Sequence, residues 1–304
     1  RTTMSHIARR PKTEHGFVNP PLLRGSTVLV PTVKERQAMQ ARRGERVLTY
    51  GLGGSETHWA LEDAIAAVEG GTRCYIVGSG LAAVTAPLLS FLGAGDHCLM
   101  PDHVYGPARN FCDGMLKRFG VETTYYHPEI DEAGIKALMR PNTKVVYTES
   151  PGSHTFEVQD IPAIARAAHA GGAKVLMDNT WGIHHFQPFK HGVDVSIQAA
   201  TKYPAGHSDI LIGTITVNSD EDWQTLHAAA RGLGGQALSI GLLEQQTLQG
   251  IADRHHLKHP DAALVAALAL RAAARLEKLP RPGQRGRKQG AVLCTRMSQR
   301  GALC

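Results

Sequence analysis

No stretch of this chain is apolar for long enough to cross a bilayer; nothing approaches the roughly 18 residues that a spanning helix needs. The first twenty residues lack the apolar centre of a signal peptide. Arg9, Arg10 and Lys12 are followed by Glu14 and two prolines, so no targeting helix is expected there. Cysteine is sparse: the five residues (74, 98, 112, 294 and 304) form no C-x-x-C and no His/Cys ligand spacing. That pattern excludes a disulfide framework and points to free thiols in a reducing cytoplasm. The pairs His184-His185 and His255-His256 have no carboxylate or cysteine at ligand spacing beside them, so no metal is expected. An excess of positive charge is missing outside the C-terminal end. Residues 271–304 hold nine Lys/Arg against one acid, Glu277, which leaves 24 basic and 26 acidic groups for residues 1–270. The net +6 therefore belongs to a tail, and neither a nucleic-acid partner nor a membrane is expected for the body.

The chain has 304 residues, of which 42% are hydrophobic and 20% charged, enough for one large α/β domain plus a smaller piece. From Arg73 to Val217 strand and helix patterns alternate. Strands are expected at 74–78, 97–101, 121–126, 143–149, 173–177, 193–199 and 210–217, with helices at 81–92, 105–119, 131–139 and 159–170. Buried strands in βα alternation mean a mostly parallel, doubly wound sheet. Residues 1–47 show little periodicity and much Pro and Arg, and read as an arm that packs on a partner.

The chemistry centres on Lys202. Val193 to Ala200 reads as a buried strand, Thr201 and Lys202 stand at its end, and Pro204 and Gly206 stop the chain. A poorly solvated amine at such a strand mouth has a lowered pKa and becomes a nucleophile. Upstream, Ala173-Lys-Val-Leu-Met-Asp178 is a second apolar strand ending in an acid, at the edge where open α/β sheets bind ligands. A lysine and an acid so placed suit pyridoxal 5'-phosphate: the amine holds the cofactor as a Schiff base and the acid keeps the ring nitrogen protonated. The competing reading is a structural ion pair between Asp178 and Lys202. Cys74-Tyr-Ile-Val-Gly-Ser-Gly-Leu-Ala82 is strand, glycine turn and helix start, so the amides of Gly80 and Leu81 offer a phosphate seat. Taken alone, such a turn is more often close packing. The hydroxyl of Thr201 adds a candidate phosphate contact.

The strings MDNTW (177–181) and SIQAATKYPAGHSD (196–209) resemble those of the Cys/Met-metabolism pyridoxal-phosphate-dependent enzymes. ESPGSHTFEV (149–158) and NPPLLRGSTV (19–28) resemble their cystathionine β-lyase branch, and the likeness runs from about Gly16 to about Gln236. The resemblance implies the fold-type I, aspartate aminotransferase-like architecture, with 48–236 as the cofactor-binding large domain behind the arm 1–47. It implies cleavage of a sulfur amino acid, L-cystathionine, to homocysteine, pyruvate and ammonia, a step toward methionine. γ-Synthase, γ-lyase and sulfhydrylase chemistry are the alternatives, as is a cofactor-binding protein without turnover. It further implies that Tyr105 stacks on the cofactor ring, and that Tyr50 reaches a neighbouring subunit's cofactor phosphate, hence a dimer or tetramer. Relatives carry an arginine where this chain has Leu52, and often a serine where it has Ala199. After Gln236 no family motif is found: residues 237–304 show an Ala/Leu-rich helical pattern (Asp261 to Leu279) and a basic stretch. The expectation is that the family's C-terminal domain is missing, as a frame change or truncated coding region would cause.

Overall fold

The computed structural model of the protein describes residues 6–10, 12, 15–23, 25–42 and 45–234. The tail expected at 237–304 lies outside the described residues. These fall into two compact units, one formed by residues up to Phe91 and from Asp194 onward, the other by Leu92–Val193.

In the first unit, helix α1 (Val33–Ala41) begins at a reciprocal cap. Thr32 Oγ1 accepts from the Glu35 amide, and Glu35 Oε2 accepts from the Thr32 amide. The arm therefore contains a helix that its poor periodicity hides, because α1 buries none of its residues. Helix α2 (Glu56–Glu69) begins after Ser55, whose amide donates to His58 Nδ1 at 3.1 Å, and ends at Gly70 in the left-handed region (φ 77°). Its buried face carries Leu61, Ala64, Ile65 and Val68. Strand β1 (Arg73–Val77) leads through Gly78-Ser79 into α3 (Gly80–Phe91).

The second unit is the parallel one. Strands β2 (His97–Pro101), β3 (Glu122–Tyr126), β4 (Thr143–Glu149) and β5 (Lys174–Asp178) run in the order β3-β2-β4-β5, every pair parallel. The crossovers carry α4 (Gly106–Phe111, continued by a π turn to Leu116), α5 (Glu132–Leu138) and α6 (Ile161–Ala170). Asp131 and Asp160 cap the last two through the Gly134 and Ala163 amides. Leu99, Tyr126, Ile135, Val146, Ile164 and Val175 close the core beneath them. Since β2, β4 and β5 are parallel neighbours, their carboxyl ends open side by side, which sets Pro101, Glu149 and Asp178 along one edge.

The chain returns to the first unit through β6 (Val195–Gln198), β7 (Gly213–Val217) and α7 (Asp220–Gly232). Here regular alternation breaks down: β7 lies antiparallel to both β1 and β6. A parallel neighbour needs a crossover, and residues 199–212 supply no helix to make one, so the chain turns back on itself. Helix α7 was not foreseen. Ser219 caps it through the Asp222 amide, and three acids occupy its first turn. Its Trp223 and His227 stack on each other and meet the ring of Tyr75 edge-on.

Gly213 has no room for a side chain: a Cβ there would lie 2.1 Å from the Ser79 carbonyl oxygen and 2.9 Å from Ala83 Cβ. Backbone cannot yield as a flexible side chain does. Gly213→Ala is therefore expected to destabilise the protein by about 1–3 kcal/mol or more, whereas Gly232→Ala, which meets open space, leaves the urea midpoint nearly unchanged. Among the described residues no helix is long and apolar enough to cross a membrane.

Candidate active site

Lys202 belongs to the first unit and Asp178 to the second, and each surrounding is built up by itself. In the first unit the strand end carrying Lys202 is fixed by a reciprocal clasp. The amide of Thr201 and its hydroxyl both donate to the Ile212 carbonyl (2.9 and 3.0 Å), and the Ile212 amide donates back to Thr201 Oγ1 at 3.0 Å. Lys202 follows with its amide on the Ala199 carbonyl and its own carbonyl holding the Gly206 amide. Its side chain is exposed, which corrects the expectation of a poorly solvated amine, and it makes no ion pair or hydrogen bond among the described residues.

Beside this strand end stands the start of α3. A Cβ on Gly80 would come within 2.7 Å of Ala199 Cβ, so glycine is what lets helix and strand meet. Ser79 Oγ accepts from the Ala82 amide, while the amides of Gly80 and Leu81, in the first turn, have no acceptor within the helix. That leaves donors free for an anion at the N-terminus of a twelve-residue helix. Thr201 differs from its sequence reading in one respect. Its hydroxyl hydrogen is committed to Ile212, so it would have to change acceptor before meeting a phosphate. Tyr50 and Leu52 flank a short 3₁₀ turn, Gly51–Gly53, whose first amide donates to the Ser26 carbonyl at 2.6 Å. Tyr50 is half exposed, and its hydroxyl makes no hydrogen bond among the described residues.

In the second unit Asp178 closes β5, partly buried, with Oδ1 accepting from the Thr180 amide at 3.0 Å. Its register partner on β4 is Glu149. Glu149 is buried, and its Oε2 accepts from the Tyr105 amide at 2.8 Å while Oε1 lies 2.7 Å from Ser153 Oγ. One carboxyl thus ties Tyr105, at the head of α4, to the turn that follows β4. Burial first, and the Asp178 carboxylate second, push Glu149 up to about 8. His103 Nε2–H donates to the Glu149 carbonyl at 2.8 Å, and its Nδ1 is 3.3 Å from Glu157 Oε2. The turn itself holds two non-glycine residues in the left-handed region, His154 and Phe156, and Phe156 meets Trp181 edge-on at 5.3 Å.

Asp178 and Tyr105 are thereby brought into one constellation, joined by a residue the sequence reading quoted only as part of a string. Glu149 stands at the carboxyl end of a buried strand, the same signal that singled out Asp178, and could have been found by it. His103 and Ser153 carried no such signal, nor did Gln159, whose Oε1 accepts from the Glu149 amide at 2.9 Å.

Taken unit by unit, the amides of Gly80 and Leu81 and the amine of Lys202 in the first, and the carboxylate of Asp178 and the partly exposed ring of Tyr105 in the second, are groups of the kinds that a phosphorylated pyridine aldehyde can use. The buried thiols fit no catalytic role. Burial raises Cys74 and Cys98 well above their ordinary values and Cys112 to about 12.

The sequence profile described as "Cys/Met metabolism PLP-dependent enzyme" matches residues 1–302, reaching past Gln236, where the quoted motifs stop. The chain is 55% identical over 234 residues to a putative cystathionine beta-lyase of Rhizobium johnstonii, covering 77% of this chain and 57% of that protein. It is 42% identical to the cystathionine beta-lyase of Haemophilus influenzae, covering 74% and 57%. Among solved structures it is similar to cystathionine gamma-lyase from Lactobacillus plantarum complexed with L-serine. The TM-score is 0.74 at 26% identity, over 84% of this chain and 64% of that one. The chain thus spans a little over half the length of the two curated relatives.

Proposed function

Because the chain belongs to the Cys/Met metabolism family of pyridoxal-phosphate-dependent enzymes, we propose that it is a carbon–sulfur lyase cleaving the Cβ–S bond of L-cystathionine. The products are homocysteine, pyruvate and ammonia, and the place of the step is methionine biosynthesis. The observation that carries the β-lyase reading is the 55% identity to a protein named for that activity, which includes the 149–158 turn described above.

The roles follow from the residues. The Gly80 and Leu81 amides hold the phosphate, with Thr201 behind them. Asp178 accepts the ring N–H, and the Tyr105 ring covers one face. Bound pyridoxal phosphate supplies an electron sink for the pair released when the substrate's Cα–H bond breaks. Lys202 Nζ takes that proton and returns one to the departing sulfur, and water completes the release of pyruvate and ammonia. Residues 48–236 act as the cofactor-binding domain and 1–47 as an arm. Tyr50, whose hydroxyl makes no hydrogen bond among the described residues, serves the cofactor phosphate of a second copy, so the active form is a homo-oligomer. Free buried thiols support a cytoplasmic setting.

The test is the product of cystathionine breakdown. Pyruvate should dominate; predominant 2-oxobutyrate would move the assignment to γ-elimination, the chemistry named for the Lactobacillus plantarum structure. Leu52 favours a second reading, binding without turnover, because the guanidinium that relatives place there would grip phosphate bidentately. Cofactor uptake with no keto acid formed selects it.

A further inference from the structure

Every polar atom of Glu149 is engaged. Its amide donates to Gln159 Oε1 at 2.9 Å, its carbonyl accepts from His103, and its two carboxyl oxygens meet Tyr105 and Ser153. The residue is 3% exposed and sits in register with Asp178. So costly a burial of a carboxyl is sustained only where its contacts are used. The cofactor-binding reading leaves it without a role.

We propose that Glu149 is a positioning residue for the cofactor ring: one oxygen sets the Tyr105 backbone, the other sets the Ser153 hydroxyl, both against Asp178. The proposal rests on the pyridoxal phosphate reading and extends it to a residue that need not touch the ring. Its protonation state decides how Ser153 is used. A neutral Glu149 donates its proton to Ser153 Oγ, and the serine's own hydrogen is then free to face an anionic ligand. Ionised, Glu149 draws that hydrogen back and adds a second negative charge beside Asp178.

Among the described residues, the charged and titratable groups around it include Asp178 from β5, His103 from the turn after β2, Glu157 from the turn after β4 and the buried phenols of Tyr147 and, through Gln159, Tyr126. Burial and Asp178 oppose ionisation of Glu149, and the Ser153 and Tyr105 hydrogen bonds favour it. The balance falls at about 8.

The experiment is an absorbance titration of the full chain with pyridoxal 5'-phosphate between pH 6.5 and 9.5, for wild type, Glu149→Gln and Glu149→Ala. Trp181 emission without added cofactor is followed in parallel, in a Trp59→Phe, Trp223→Phe background. Wild type should bind about tenfold more weakly at pH 9 than at pH 7, with an emission inflection near 8, because Phe156 lies on Trp181. Glu149→Gln keeps both contacts and a neutral charge, so its affinity and emission should be flat with pH. Glu149→Ala should bind at least about tenfold more weakly at every pH, from loss of a buried hydrogen-bond partner. The proposal is overturned if Glu149→Ala binds within twofold of wild type, or if Glu149→Gln keeps the inflection. Wild type that binds no cofactor at any pH defeats the cofactor reading instead. The two failures are separable, since the emission profile of the unloaded chain still reports on Glu149.

Discussion

Lys202→Ala is expected to lower turnover by at least about 100-fold, the lower bound for removing a positioned general base. It should also leave the protein unable to retain the visible absorbance that covalently held pyridoxal phosphate gives. The prediction is sharp because nothing else in the described structure depends on that side chain: it makes no ion pair, and the local backbone bonds run through amides and carbonyls that alanine keeps. The urea midpoint should therefore stay close to wild type. Gel filtration after cofactor loading separates the outcomes. A mutant that emerges with the band intact assigns the covalent bond to another amine.

Asp178→Ala should weaken pyridoxal phosphate binding by about 10- to 150-fold, the range for losing a hydrogen bond to a charged group of 1.5–3 kcal/mol. A second effect belongs to its neighbour. Asp178 is one of the causes that raise Glu149, so removing it should move the Trp181 inflection toward lower pH. Asp178→Asn, which keeps the shape but not the charge, should show the same displacement with a smaller loss of stability. An unchanged inflection in both variants would mean that the two carboxyls do not sense each other.

Much of this was legible in the residues. The seven strands lie close to where runs of apolar, β-branched and aromatic residues bounded by turn residues placed them; β1, β2, β4 and β5 are largely buried and apolar, whereas β3 is mostly half-exposed and is marked by its Thr and Tyr residues. What escaped was of two kinds. Helices α1 and α7 carry little or no buried apolar stripe and are specified by their caps, Thr32 with Glu35 and Ser219 with the acids after it. Periodicity does not see caps. The reversed direction of β7 escaped because a strand's residues do not record its sense; only the missing crossover helix does. In the site, Lys202 and Asp178 stood out as single charges at the ends of apolar strands. The hydroxyl of Thr201 could not be read, since its partner Ile212 is eleven residues away across a loop of irregular backbone.

That loop has a consequence for how this scaffold can vary. Thr201 and Ile212 staple its two ends to one another, so residues 203–211 form a closed excursion whose feet are held independently of its tip. Gly206, His207, Ser208 and Asp209 at the tip are all exposed. Lengthening or recomposing the tip there would leave the register of both flanking strands intact, since closing a longer loop costs little extra entropy. New side chains can thus be auditioned a few residues from Lys202 without recasting the framework that carries it.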